Sequence, residues 1–139
     1  MSEPDIPQDL QAFMRDSIES YEQLEILMRL RAQPERTWAP HSVSSELRID
    51  ETISEEALRF LCRQGLLGVD VGKQALLFKY KPKSSELDAL VGRLVQAYDT
   101  ERLAVMRLMT ANSIERLRTK ALKKFSDSFI LARKKDKDG

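Results

Sequence analysis

The residue types that form catalytic and metal sites are scarce in this chain. Cys62 is its only cysteine, so no disulfide forms within the chain, and a zinc site built from cysteine pairs is excluded. His41 is its only histidine, and no neighbouring motif supplies the positioned partner that a general base needs. We therefore interpret Cys62 as a small core residue rather than a reactive thiol, and His41 as a surface or capping residue. We expect no enzymatic activity, cofactor or metal.

Long apolar runs and glycine-rich phosphate loops are also missing. No apolar stretch approaches the roughly 18 residues that a membrane helix needs. Neither common nucleotide-binding fingerprint is present, and the acidic N-terminus has no apolar signal core. Hydrophobic residues make up 42% and charged residues 32% of the 139 positions, which is typical of a helix-rich globular domain with a short appendage. A cytoplasmic protein is expected.

Positive charge is displaced toward the C-terminus. The net charge is only +1, and residues 18–83 carry ten acids and ten bases. Residues 84–139 carry twelve bases and eight acids, and most of those bases lie beyond residue 115. Such a basic segment is typical of helices that bind nucleic acid, a membrane surface or an acidic protein groove.

The stretch 52–67 has the clearest pattern in the chain. Ile53, Ala57, Leu58 and Leu61 recur at spacings of three and four, which predicts one apolar helix face. Gly65 suits the left-handed residue that closes a helix. Residues 66–71 and 75–80 are then predicted to form the two strands of a hairpin. Gly72 supplies the turn between them.

Three further elements are predicted before this stretch. Apolar residues at helical spacing begin at Leu10 and predict a helix, which we interpret as one long helix ending near Arg31. Thr37 and Trp38 predict a very short strand, and residues 42–49 a short helix with Ser42 as a possible N-cap. Asp50 or Thr52 caps the next helix, with Glu55 completing a capping box in the second case.

The segment T-I-S-E-E-A-L-R-F-L-C-R-Q-G-L-L resembles the recognition helix and first wing strand of winged-helix (MarR-like) bacterial transcriptional regulators. The end of the chain is similar to that of small uncharacterised bacterial proteins. The resemblance implies a mainly α fold with a small β-hairpin. It implies an N-terminal segment and helix start in 1–17, a winged helix-turn-helix domain in 18–83 and a C-terminal helical extension in 84–139. It also implies a helix placed across the major groove of double-stranded DNA.

Five residues are candidates for DNA contact under this resemblance. Ser54, Arg59 and Arg63 are predicted on the exposed side of the recognition helix. Arg48 lies at the end of the preceding helix, and Lys73 lies at the wing tip. Glu51, Glu55 and Glu56 would repel the phosphate backbone, which supplies most of the affinity of DNA-binding proteins. Two alternatives therefore stay open. Arg59 and Arg63 pair with nearby acids, or the domain is a protein-interaction module that has lost DNA binding.

The C-terminal extension is predicted to form a homodimer. A helix capped by Ser84 or Ser85 carries a broad apolar face, and after a break at Asn112 and Ser113 a basic amphipathic helix follows. The candidate interface residues are Leu90, Leu94, Tyr98, Phe125 and Phe129. One alternative is packing of the first of these helices onto the N-terminal helix of the same chain. Phe125 and Phe129 favour a protein partner, but a structural helix with a solvated basic face is the interpretation we prefer for the tail.

Overall fold

A computed structural model describes the backbone of residues 6–138 and the side chains of residues 6–130. The two prolines and few apolar groups of residues 1–7 predict a frayed start, and residues 1–5 of this stretch lie outside the described residues, as does residue 139. The elements are α1 (Gln8–Ser17), α2 (Tyr21–Ala32), α3 (Pro40–Leu47), α4 (Glu51–Arg63), β1 (Leu67–Val71), β2 (Leu76–Tyr80), α5 (Ser85–Thr100) and α6 (Arg102–Asp138). This confirms the predicted fold class, mainly α with one antiparallel hairpin.

The N-terminal helical pattern is divided into two helices, so the prediction of one long helix is wrong. Ile18 adopts an extended conformation (φ −128°, ψ 111°) after the last residue of α1. The Ser20 hydroxyl then accepts a hydrogen bond from the Gln23 amide at 3.1 Å and caps α2. A serine at this position stabilises a new helix start because it satisfies an amide without an intrahelical partner.

The segment between α2 and α3 contains an isolated β-bridge at Trp38 rather than the predicted short strand. Trp38 exchanges two backbone hydrogen bonds with Phe78 of β2, at 2.7 and 2.8 Å. Pro40 then occupies the first turn of α3, with Ala39 as N-cap residue, so the prediction that Ser42 caps this helix is wrong. Proline is favoured there because its missing N–H would have no helical partner and its φ suits a helix.

Both ends of α4 are closed by local interactions. One Asp50 carboxylate oxygen accepts hydrogen bonds from the amides of Thr52 (2.9 Å) and Ile53 (3.2 Å). Asp50 is therefore the cap, and the predicted capping box of Thr52 and Glu55 is wrong. Gly65 has a φ of +78°, which confirms its predicted left-handed conformation.

The structure confirms the predicted hairpin. Leu67 pairs with Tyr80 and Val71 with Leu76, and the turn is closed by a 2.9 Å hydrogen bond from the Gly72 amide to the Ala75 carbonyl. Phe78 and Tyr80 point into the core, since alternate residues of a strand face opposite sides. The side chain of Lys79, between them, therefore faces away from the core.

The C-terminal extension is broken at a different position from the one predicted. Ser84 caps α5, as predicted, by accepting a hydrogen bond from the Leu87 amide at 3.1 Å. The helix ends at Thr100, and Glu101 (φ −137°, ψ 49°) separates it from α6, which continues without interruption through Asn112 and Ser113. The prediction of a break at those two residues is therefore wrong.

One core unites α1 to α5, the hairpin and the first two turns of α6. Leu24, Leu58, Phe78 and Leu94 are among its fully buried side chains, and Met109 is the last residue of α6 that is buried in it. Most side chains between residues 110 and 130 are exposed, so α6 projects from the core over much of its length. Within the described residues, no helix has the length and apolarity needed to cross a membrane.

Candidate nucleic-acid interface

The second helix of the α3–α4 pair presents one face outward. Ala57, Leu58 and Leu61 bury the opposite face of α4 against α2 and α3. The turn between α3 and α4 is held by Arg48 in the left-handed conformation (φ 57°) and by a 2.6 Å hydrogen bond from the Ser44 hydroxyl to the Ile49 carbonyl. The orientation of α4 is thus set by packing on its inner side, which leaves its outer side available.

The buried face of α4 differs from the predicted one only at its first position. Ser54 is completely buried, so the prediction that it lies on the exposed side is wrong, and its side chain is not available to DNA. Ile53, predicted on the buried face, is 46% exposed. Ser54, Ala57, Leu58 and Leu61 are spaced i, i+3, i+4 and i+7, which is the helical pattern of a single face. The hydrophobic character of Ile53 concealed this pattern in the sequence.

The two arginines of α4 differ in their partners. Arg59 is exposed and forms an ion pair with Glu55 one turn earlier, with 2.9 Å between Nη2 and the carboxylate. Arg63 is also exposed, and its guanidinium lies 5.9 Å from the centre of the Phe60 ring. Among the described residues, Arg63 has no carboxylate partner. The alternative of pairing with a nearby acid therefore applies to Arg59 and not to Arg63.

The charges of α4 are separated along its axis. Asp50, Glu51 and Glu56 are exposed in the N-terminal half, where the positive end of the helix dipole stabilises carboxylates. His41, which is exposed, lies beside this end with its Nδ1 3.6 Å from the Glu51 carboxylate. Arg63 lies in the last turn, where the dipole favours a cation. The exposed cation of α4 that has no carboxylate partner among the described residues therefore lies at its C-terminal end.

The hairpin adds cations that the sequence analysis missed. Lys73 is exposed at the tip, as expected, but Lys79, Lys81 and Lys83 also follow one another at alternate positions. Alternation along β2 places Lys79 on the side opposite Phe78 and Tyr80, and Lys81 and Lys83 follow directly after the strand. The alternation of lysine with buried aromatic residues is visible in the sequence and could have identified this face.

The base of the hairpin lies directly beside the end of α4. The Lys83 amide donates to the Gly65 carbonyl at 2.8 Å, and the Lys81 amide donates to the Leu66 carbonyl at 3.1 Å. A Cβ atom on Gly65 would lie 2.8 Å from Cδ of Lys83, so the lysine stem passes close to this glycine. Lys81, Lys83 and the C-terminal end of α4 thus belong to one basic surface.

The predicted interface residues of the C-terminal extension are in different environments. Leu94 is fully buried within its own chain, so its side chain is not available to a partner subunit, contrary to the prediction. Leu90 and Tyr98 are half-buried, and the Tyr98 and Tyr21 hydroxyls are 3.2 Å apart. Phe125 and Phe129 are exposed. The alternative of packing within the chain is realised for α5, which lies against α1.

The residues considered for catalysis or metal binding do not form a cluster. Cys62 is half-buried, and this burial raises the pKa of its thiol, which disfavours the reactive thiolate. Within the residues that the structure describes, no three His, Cys, Asp or Glu side chains are grouped so that they could hold a metal ion.

Known structures share this arrangement of helices and hairpin. HlyU from Vibrio cholerae aligns with a TM-score of 0.51 and 19% identity, covering 67% of this chain and 98% of that chain. A homodimeric winged helix-turn-helix DNA-binding domain from Mycobacterium bovis, of a possible ArsR-family transcriptional regulator, aligns with a TM-score of 0.52 and 14% identity, covering 73% and 93%. A mutant of MepR from S. aureus bound to an oligodeoxyribonucleotide aligns with a TM-score of 0.51 and 16% identity, covering 86% and 87%.

This chain has a winged helix-turn-helix fold. In that fold α3 and α4 take the positions of the helix-turn-helix pair, and the β1–β2 hairpin takes the position of the wing. At these identities the similarity concerns the fold. No protein-family model matches the chain, and no curated protein matches it significantly.

Proposed function

We propose that the protein is a DNA-binding transcriptional regulator that acts as a homodimer. The observation that carries the proposal is the position of the exposed Arg63, in the last turn of α4, beside the base of the wing with Lys81 and Lys83. The related MepR structure contains an oligodeoxyribonucleotide, and the Mycobacterium bovis domain is homodimeric, which supports both parts of the proposal. The function is non-enzymatic, and such a regulator would act in the cytoplasm.

In this mechanism α4 approaches the major groove with its C-terminal end closest to the phosphates. Arg63 binds the backbone there, while Lys73 at the wing tip and Lys81 at the wing base contact flanking phosphates. Arg59 reaches a guanine edge after it leaves Glu55, and Arg48 contacts the backbone from the turn. The acidic N-terminal half of α4 is held away from the nearest phosphates because like charges repel.

The dimer is proposed to form through α6. Ile114, Leu117, Leu122, Phe125 and Phe129 are each more than half exposed on the part of this helix that projects from the core. Contiguous exposed apolar side chains on one helix are typical of a protein interface. A two-fold dimer would space two recognition helices for successive faces of the DNA.

Fluorescence anisotropy with labelled DNA duplexes, titrated across salt concentrations, tests the proposal. We expect measurable affinity at low salt and a linear fall of log K with log salt, because phosphate binding releases counterions. Arg63→Gln and Lys73→Gln should each weaken binding and reduce the salt slope by about one unit. Arg29→Gln is the matched control, because Arg29 is exposed on α2, outside both α4 and the wing. Absence of binding at low salt, or equal effects of all three variants, would contradict the proposal.

A second candidate function is a winged-helix protein-interaction module that does not bind DNA. The ion pair of Arg59 with Glu55 and the exposed acids at the start of α4 favour it. In a pull-down, a partner bound through α6 should be lost when Phe125 and Phe129 are both replaced by alanine. Retention of the partner by this double variant would remove the second candidate.

A further inference from the structure

The outward side of α4 carries a row of four residues that are all exposed. They follow one another at intervals of four, three and four residues, which places them on one face of a helix. The row consists of Thr52, Glu56, Arg59 and Arg63. With 3.6 residues per turn, this face lies opposite the buried side that packs on α2 and α3. The row therefore forms the centre of the surface that α4 presents to a partner.

Glu56 is the only carboxylate in this row, and it forms no ion pair among the described residues. The guanidinium of Arg59, three residues further on, is held by Glu55 at 2.9 Å. Glu51 lies beside His41, whose Nδ1 is 3.6 Å from its carboxylate. Both of the other acids thus have a partner, whereas the Glu56 carboxylate is exposed and available as a hydrogen-bond acceptor.

The chemistry of a DNA groove limits what this carboxylate can face. Phosphates repel it, so the favourable position is the middle of the major groove, between the two rows of phosphates. The hydrogen-bond donors at that position are the amino groups of cytosine (N4) and adenine (N6). Adenine also presents its N7 acceptor beside the amino group, and this lone pair repels a carboxylate oxygen. Cytosine has no acceptor at its major-groove edge, so it is the base that a glutamate fits.

We propose that Glu56 is a specificity-determining residue, which accepts a hydrogen bond from the N4 amino group of a cytosine in the major groove. This role rests on the proposed function and adds the base that is read. Arg59 lies about 4.5 Å further along the helix axis, since each residue adds about 1.5 Å. Neighbouring base pairs are about 3.4 Å apart. A guanine bound by Arg59 therefore lies within about one or two base pairs of this cytosine.

Selection of duplexes from a randomised pool by the full-length chain, followed by fluorescence anisotropy on single duplexes, tests the proposal. We expect the selected duplexes to share a cytosine at one position. Replacing that C·G pair with T·A should weaken binding by about tenfold, because the O4 atom of thymine is an acceptor at the place of the amino group.

Variants of Glu56 show whether this side chain reads the base. Glu56→Gln should change the preferred base at that position from cytosine to adenine, because an amide donates to N7 and accepts from N6. Glu56→Ala should remove the preference. Preferences at the other positions should stay the same in both variants, which distinguishes readout from a structural role. Because Glu56 is exposed, neither substitution disturbs the core.

Two further variants serve as controls for charge. Glu55→Gln removes the same charge from the adjacent position, so it should raise the overall affinity but keep the cytosine preference. Asp99→Asn changes an exposed carboxylate in the last turn of α5, outside α4 and the wing, and it should alter neither. The base preference, and not the overall affinity, is therefore the measurement that decides.

Three results would overturn the role of Glu56 while DNA binding persists. They are an absence of cytosine preference, an unchanged base preference in both Glu56 variants, and a loss of preference that is spread over all positions. Absence of binding to any duplex at low salt would instead refute the proposed function, and the base readout with it. Failure of the readout is therefore distinguishable from failure of the regulator function.

Discussion

The guanidinium of Arg59 lies 2.9 Å from the Glu55 carboxylate, one turn earlier on the outward side of α4. Replacing Glu55 with glutamine removes this partner and one negative charge from the face proposed to meet DNA. We expect Glu55→Gln to raise affinity for DNA duplexes at low salt by roughly three- to tenfold and to steepen the salt dependence. Fluorescence anisotropy across salt concentrations measures both effects.

The stability of this variant provides a control on folding. Both side chains are substantially exposed, and exposed ion pairs one turn apart contribute only about 0.3–0.5 kcal/mol. The urea midpoint of Glu55→Gln should therefore remain close to that of the unmodified protein. An unchanged DNA affinity in a normally folded variant would favour the protein-interaction module.

The second prediction concerns the exposed apolar side chains of α6. Phe125 is 71% exposed and Phe129 57% exposed, and burial of each ring against a second copy would contribute about 1.5–3 kcal/mol. The double variant Phe125→Asp with Phe129→Asp should shift a dimer to monomer in sedimentation equilibrium. Val71→Asp changes a side chain that is 87% exposed in the wing, and it should leave the association state unaltered. Dissociation by the wing variant alone would place the interface elsewhere.

The third prediction concerns the attachment of the wing to α5. The hydroxyl of Tyr80, at the end of β2, donates to the Asp88 carboxylate at 2.5 Å. Burial and this neighbouring carboxylate raise the pKa of Tyr80, so the phenol stays protonated and remains a donor. Tyr80→Phe should lower the free energy of unfolding by about 1–2 kcal/mol. Urea denaturation is the measurement.

Tyr21→Phe is the matched control for that experiment. The Tyr21 side chain is exposed, and its hydroxyl contacts that of Tyr98, which is only half-buried. Because water replaces such a contact easily, the change should stay within about 0.5 kcal/mol. Equal losses in the two variants would show that the partly buried Tyr80–Asp88 bond contributes no more stability than the exposed Tyr21–Tyr98 contact.

The fourth prediction is a pH dependence of stability. The hydrogen bond from Arg93 lowers the pKa of Asp9 from its ordinary value of 3.8 to about 2. The folded state therefore favours the ionised carboxylate, and the resulting stability is fully present above the unfolded pKa. It is lost as the pH falls from about 4 to 2. The urea midpoints of the unmodified protein and Asp9→Asn should converge over this interval.

Arg93→Gln tests the cause of that convergence. It removes the guanidinium whose Nη1 is 2.6 Å from the Asp9 carboxylate. The urea midpoint of Arg93→Gln should therefore fall less steeply between pH 4 and 2 than that of the unmodified protein, as expected for Asp9→Asn. Parallel curves for the unmodified protein and both variants between pH 4 and 2 would contradict the assignment.

Local signals in the sequence predicted much of the fold. Gly65 predicted the end of α4, Ser84 the start of α5 and the glycine turn the wing, because each depends on the chemistry of a few neighbouring residues. The wrong predictions arose where several local choices are permitted. Asn112 is compatible with both a helix interior and a break, and the chain breaks at Glu101 instead.

The candidate site could be predicted only in part from the sequence. Arg63 and Lys73 are exposed cations, as their positions in the pattern predict, and the alternation of Lys79, Lys81 and Lys83 was readable in the sequence. The burial of Ser54 was not, because only the packing of α4 on α2 and α3 decides which residue occupies the centre of its inner face.

Composition and spacing by themselves determined the helical class, the helix-turn-helix order, the wing and the basic C-terminal segment. They did so because periodicity and turn chemistry act over a few residues. Only the tertiary structure decided that Leu94 is internal, that Arg59 is paired and Arg63 is not, and that Arg116 donates to the Glu19 carbonyl of the α1–α2 linker. Each of these depends on distances between segments that are far apart in the chain, which local patterns do not encode.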